Sequence, residues 1–273
     1  MVSTRRAAVL GKPIAHSLSP VIHTAGYAAA GLTGWSYTRI ECAAAELPDL
    51  VAGLGPEWAG LSVTMPGKEA ALAVAAEASP VAAAVGAANT LVRRPDGSWY
   101  ADNTDVAGMV QVLTDAGVTA GAAVTVLGAG GTARAALAAA ARLGATSVTV
   151  VARRAVAVDE LRPVAAAVGV ELTGMAWEHA AARAGADVVV STVPKGVADP
   201  LVRTVHWRPS TVLFEALYDP WPTPLAASAL AAGCPVVSGL DLLLAQAVGQ
   251  FEQFTGVPAP VEAMRAALAA ARR

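Results

Sequence analysis

Lys68 is the residue in this chain most able to do chemistry. It follows Thr64-Met65-Pro66-Gly67, a polar strand end leading into a proline suited to a first helical turn. In that turn the helix dipole disfavours a cation and lowers its proton affinity. Partial burial pushes the same way, toward the range where an amine exchanges protons near neutral pH. Asp105, closing the segment Asn103-Thr104-Asp105, can pair with the amine, orient it and tune it. Plainer readings stand beside these: a lysine near a helix start also serves as a solvated charge, and Asp105 as an N-cap. Around the pair, Ser17 and Ser19 bracket Leu18 ahead of Pro20, Thr64 ends a strand, and Asn89-Thr90 follow Val85-Gly86-Ala87-Ala88. Hydroxyls, amides and charges gathered at strand ends suit a small, hydroxyl-rich carboxylate, because open α/β sheets bind ligands beyond the carboxyl ends of their strands.

A second chemistry sits further along. Val124-Thr-Val-Leu-Gly128-Ala129-Gly130-Gly131-Thr132-Ala133 is a GxGxxA turn between a buried strand and a helix. Gly128 permits the tight turn, Gly130 lets backbone approach a pyrophosphate, and Ala133 keeps helix and strand close. The pyrophosphate would rest on free N–H groups at the helix start, where the dipole favours anions. Glycine turns also join strand to helix without any ligand, but here the flanking strand–turn–helix–strand supplies the required context. The end of the next strand selects the dinucleotide. An acid there would bond a ribose 2′-OH and repel a 2′-phosphate, whereas this chain reads Val151-Ala152-Arg153-Arg154. Two guanidiniums grip a phosphate by charge-assisted bonds, so the pattern favours NADP over NAD.

The elements that must hold these residues alternate from end to end. Ala7–Leu10, Tyr37–Ile40 and Leu61–Thr64 read as strands, with helices after Pro20, near Glu46 and after Pro66. Asn89–Arg93 and Ser98–Asp102 flank Pro95-Asp96-Gly97, a hairpin signal. Strands at Val124–Leu127, Val148–Val151, Asp187–Ser191, Thr211–Ala216 and Pro235–Val237 follow, with a helix over Thr132–Leu143 and a helical tail from Asp241 interrupted around Gly256–Pro260. That alternation predicts an α/β protein with mostly parallel sheets. With 273 residues, 55% of them hydrophobic, the chain can bury two cores, and no apolar run approaches the ~20 residues a bilayer requires. A net charge of −2 gives no electrostatic case for nucleic acid or an anionic membrane. Gly11-Lys12-Pro13 breaks the apolar stretch after Arg5-Arg6, so no secretory segment is drawn. Cys42 and Cys234 show no metal spacing, nor do His16, His23, His179 and His206, and no metal is expected. His16 reads as structural support, Tyr27, Trp207 and Trp221 as packing residues. A cytoplasmic location follows by elimination.

Taken together, the ordered segments Gly11-Lys-Pro-Ile-Ala-His-Ser-Leu-Ser-Pro20, Ser62-Val-Thr-Met-Pro-Gly-Lys68, Gly86-Ala-Ala-Asn-Thr-Leu91, Asn103-Thr-Asp105, Gly128-Ala-Gly-Gly131, Tyr218-Asp-Pro-Trp-Pro-Thr-Pro-Leu225 and Gly239-Leu-Asp-Leu-Leu-Leu-Ala-Gln246 resemble the shikimate dehydrogenase family over nearly the whole chain. The resemblance implies two domains: an N-terminal mixed α/β substrate domain over 1–103, completed by 241–273, and a Rossmann-type NADP-binding domain over 104–240. It implies reversible NADPH-dependent reduction of 3-dehydroshikimate to shikimate, in aromatic amino-acid biosynthesis. Lys68 and Asp105 would be the catalytic pair, with Ser17, Ser19, Thr64, Asn89, Tyr218 and Gln246 as substrate ligands. Gly128, Ala129, Gly130, Gly131, Thr132, Ala152, Arg153, Arg154, Thr192, Ala216 and Gly239 would contact the cofactor. It leaves room for a homodimer. Two departures stand out. Family members often carry Asn-Arg-Thr where this chain has Ala152-Arg153-Arg154, and a methionine where Ala216 stands. A quinate- or aminoshikimate-type enzyme using NAD, and a non-catalytic NADP-binding regulator, are the competing readings.

Overall fold

The computed structural model describes residues 4–271. Two compact units emerge: one runs as far as Thr104 and resumes at Leu243, the other is Asp105–Leu242.

The first unit is built on six strands: β1 (Arg5–Gly11), β2 (Trp35–Glu41), β3 (Trp58–Val63), β4 (Glu77–Ala78), β5 (Thr90–Arg93) and β6 (Trp99–Asp102), in the order β2-β1-β3-β5-β6-β4. β1 pairs in parallel with β2 and β3, whereas β5 runs antiparallel to both β3 and β6. The mixed sheet follows from the hairpin β5–β6. Its turn has Gly97 at φ +86°, and the Asp96 carboxylate accepts from the backbone N–H and hydroxyl of Ser98. β3 is buried at every position, as a central strand covered on both faces must be. The helices Ser19–Ala29 and Val261–Ala270 lie against each other, and the helix Gly239–Thr255 comes so close to β3 that a Cβ on Gly60 would fall within the Phe254 ring. These pairings bring the chain beyond Gly11, Val63 and Asp102, and the chain leading into Thr90, to one end of the sheet. At the other end, guanidiniums cover aromatic rings: Arg5 over Trp35, Arg6 over Trp58, Arg93 over Trp99 and Arg94 over Tyr100, at 4.6–5.9 Å from the ring centres.

The second unit is a wholly parallel sheet of β7 (Val124–Leu127), β8 (Ser147–Ala152), β9 (Glu171–Ala176), β10 (Val188–Ser191), β11 (Val212–Glu215) and β12 (Val236–Ser238), ordered β12-β11-β10-β7-β8-β9. The chain winds outward from β7 in both directions, so a topological switch point lies between β7 and β10. The alanines of the helix Gly131–Arg142 explain its close seat: Ala133, Ala135, Ala136 and Ala138–Ala140 are all buried. This is the Rossmann-type arrangement the glycine turn requires. The strand β9 is absent from the sequence reading. Its six residues have no fully buried side chain, so no apolar run announces it, and pairing with the open side of β8 creates it. Among the described residues no helix is long and apolar enough to cross a membrane.

Candidate active site

The ends of β1, β3 and β6 and the start of β5 converge, and the structure ties them with backbone bonds. Lys12 N–H donates to the Met65 carbonyl, Thr64 N–H to Leu10, and Val63 N–H to Asn89, at 3.1, 2.8 and 2.7 Å. Lys68 opens the helix Lys68–Val74, half-buried, and its carbonyl accepts from Ala88 N–H at 2.9 Å. One residue on, Asn89 is 2% exposed and forms the hub of this end of the sheet. Its Oδ1 accepts from Thr104 N–H (2.8 Å) and from the hydroxyls of Thr90 (2.8 Å) and Thr104 (3.1 Å). Its Nδ2 faces the Thr104 hydroxyl (3.0 Å) and Gln246 Oε1 (3.4 Å). Gln246 lies in the helix Gly239–Thr255, 157 residues further along the chain, and joins Asn89 only through the fold. Asn103, through Nδ2, is bonded to the Ala87 carbonyl, while its buried Oδ1 has no partner.

Ser17 and Ser19 occupy the turn after β1. Ser19 is buried, its N–H donates to Ser17 Oγ at 3.3 Å, and Arg39 from β2 clamps the turn by donating twice to the Ser17 carbonyl, at 2.9 and 2.6 Å. His16, read as structural support, is instead exposed. Asp105 is 8% exposed and lies within the first turn of the helix Thr104–Asp115. That helix already begins at Thr104, so Asp105 is not its N-cap. Sequence reading passed over Arg39, Ser62 and Gln250. Gln250 had a signal, since it follows Gln246 by four residues and so shares its helix face.

In the second unit, Gly128 adopts φ +102°, and a Cβ there would press on Thr192 Oγ1 at 2.6 Å; Thr192 in turn donates to the Leu127 carbonyl at 3.0 Å. Gly130, at the start of the helix Gly131–Arg142, has open space where a side chain would stand, and no side chain caps that helix. Ala129, Gly131 and Thr132 line the same exposed turn. Ala152 closes β8, and Arg153 and Arg154 extend beyond it, exposed. Uncapped amides, open space at Gly130 and a guanidinium pair at the next strand end are what a phosphate-bearing dinucleotide needs. Just after β12, at the edge of the sheet, Gly239 is so close to the Ala216 carbonyl that any Cβ would overlap it. Glu215, buried at the end of β11, accepts from Leu217 N–H at 3.3 Å and from the Thr223 hydroxyl at 3.2 Å. Burial holds its carboxyl above the usual range, against the lowering effect of those bonds. The turn it braces carries Tyr218, whose phenol burial and the neighbouring Asp219 push up.

Comparison with known proteins agrees with both units. Residues 9–91 match the shikimate dehydrogenase substrate binding domain, 239–269 the shikimate 5′-dehydrogenase C-terminal domain, and 123–213 a domain described as NADP oxidoreductase coenzyme F420-dependent. A shikimate dehydrogenase (NADP(+)) of Methylobacterium radiotolerans is 40% identical over 265 residues, covering 93% of each chain. The crystal structure of Mycobacterium tuberculosis shikimate dehydrogenase superposes with a TM-score of 0.88 at 52% identity, over 97% of this chain and 99% of that one. A Thermus thermophilus shikimate 5-dehydrogenase solved with NADP(H) and shikimate gives 0.84 at 30% identity, over 98% and 100%. With relatives this similar over nearly their whole length, and with hydroxyls and amides gathered at one end of the first sheet and the glycine turn and arginine pair on the second, this chain belongs to the shikimate dehydrogenase family.

Proposed function

We propose that this chain is an NADP-dependent shikimate dehydrogenase, reducing 3-dehydroshikimate reversibly to shikimate. The observation that carries the reading is the Asn89 hub: an amide held rigidly by Thr90 and Thr104, with its N–H groups turned toward Gln246, beside the helix start that bears Lys68. Such a cluster recognises ring hydroxyls and a carboxylate by hydrogen bonds. Bound NADPH supplies a hydride for the ring carbonyl carbon. Lys68 gives its proton to the carbonyl oxygen as negative charge develops there, and takes it back in the reverse direction. Asp105, buried in the first turn of the helix Thr104–Asp115, orients that amine. Ser17, Ser19, Thr64, Asn89, Tyr218 and Gln246 orient the ring, which raises the effective concentration of the reacting groups. The amides after Gly128 and the guanidiniums of Arg153 and Arg154 hold the pyrophosphate and the 2′-phosphate, while Ala129, Gly131, Thr132, Ala152, Thr192, Ala216 and Gly239 shape the rest of the cofactor's seat.

The test is an absorbance assay for NADPH formation with shikimate or quinate, each with NADP or NAD. Turnover with shikimate and NADP is expected to exceed the other pairs. Activity confined to quinate and NAD would overturn substrate and cofactor together.

A further inference from the structure

Behind the substrate end of the first sheet runs a buried polar chain for which the reaction itself has no need. It begins at β2. Tyr37 stands opposite Ala7 of β1, and Ser62 of β3 stands opposite Val9. Ala7 and Val9 are two residues apart and point to one face, so Tyr37 and Ser62 share that face across β1. Small Ala7 leaves room for the phenol to reach over the intervening strand. The Tyr37 hydroxyl donates to Ser62 Oγ at 2.6 Å, and Ser62 donates onward to Gln250 Oε1 at 2.7 Å. Gln250 Nε2 donates to the Asn89 carbonyl at 3.0 Å and to Thr90 Oγ1 at 3.1 Å, and Thr90 donates to Asn89 Oδ1 at 2.8 Å. At the near end, the Tyr37 hydroxyl lies beside the Ser19 side chain. Every bond in the series points the same way, from Tyr37 to Asn89.

We propose that Tyr37, Ser62 and Gln250 are positioning residues: a buried relay from Tyr37 to Asn89 that fixes which atoms Asn89 presents to the substrate. The inference rests on the shikimate reading above. Its physical content is the orientation of one amide. Asn89 Oδ1 receives three donors from Thr90 and Thr104, so the amide cannot flip, and Nδ2 is left as the group facing Gln246. Thr90 can spend its only proton on Asn89 because Gln250 satisfies its lone pair; Gln250 can donate because Ser62 satisfies its carbonyl. Cutting the series at any point frees a hydroxyl to turn and loosens the hold of Thr90 on Asn89. The ring of Tyr37 is itself held, stacked on His23 with centres 4.1 Å apart and planes 6° from parallel.

Tyr37→Phe is the decisive variant, since it keeps the stacked ring and removes only the hydroxyl. Gln250→Met keeps length and removes the amide. Each is expected to raise the KM for shikimate about 10-fold, the value of one lost hydrogen bond, while kcat and the KM for NADP stay within about 2-fold. The double variant is expected to exceed the worse single one by less than about 2-fold, because both cut one series. A merely structural role would instead lower kcat and the melting temperature and raise both KM values together. An active wild type alongside a Tyr37→Phe enzyme with unchanged shikimate KM overturns the relay and leaves the proposed function standing. A wild type that does not oxidise shikimate overturns both. Should Gln250→Met fail to fold, Tyr37→Phe decides alone.

Discussion

At the scale of single residues, the proposed chemistry divides between one amine and one arginine pair. Lys68→Ala is expected to lower kcat about 100-fold or more with NADP binding nearly unchanged, since a general acid contributes that much and touches no part of the cofactor seat. Steady-state kinetics with dye-free cofactor titration checks both halves. Arg153→Ser is expected to raise the KM for NADP about 10-fold or more and to leave that for NAD unaltered, the loss of a charge-assisted bond to the 2′-phosphate. These residues were legible because their chemistry is written in their type and in the strand end or glycine turn beside them. Gln246, Tyr218 and Gly239 were legible only through family resemblance, for they lie far along the chain from Asn89 or are defined by a close backbone approach. Tyr37 and Ser62 were not legible at all, and Gln250 only through its spacing of four from Gln246. A tyrosine and a serine on different strands become partners only when register sets them on one face, and register is a property of the sheet.

Elements explain why the site holds its shape, and also how it fails in acid. His23, in the helix Ser19–Ala29, has no exposed surface, and burial lowers its pKa from 6.5 to about 3. An unfolded chain takes up that proton below pH 6.5 and the native one only near 3, so the contribution to stability is intact above 6.5 and is lost as pH falls between the two. The slope approaches about 1.4 kcal/mol per pH unit. Denaturant unfolding at pH 4.5 and 7 is expected to show a smaller pH dependence for His23→Phe than for the wild type. Gly239→Ala is a second case: its Cβ would overlap the Ala216 carbonyl, and backbone cannot swing aside as a side chain can. A lower melting temperature and a raised KM for NADP are expected together, because the clash lies in the turn after β11. Buried strands such as β3 and β7 announced themselves as apolar runs. β9 did not, because an edge strand with exposed side chains draws its identity from the neighbour it pairs with.

For the molecule as a whole, the organising fact is that the first unit is made from both ends of the chain and the second from its middle. The helix Val261–Ala270 buries Met264 and Leu268 and lies against Ser19–Ala29. Truncation before Val261 is therefore expected to cost several kcal/mol, from about 1.5–3 for each buried apolar side chain, and to abolish shikimate turnover. The second unit retains all its strands in that variant, so NADP binding measured by calorimetry is expected to survive. The same arrangement reverses the usual order of events on the ribosome. Domains ordinarily mature from the amino end as they emerge, but here the nascent amino-terminal sheet must wait, its apolar face open, until the last helices have been synthesised. The middle of the chain finishes first, and a cell making this protein has to shelter the earliest-made segment longest.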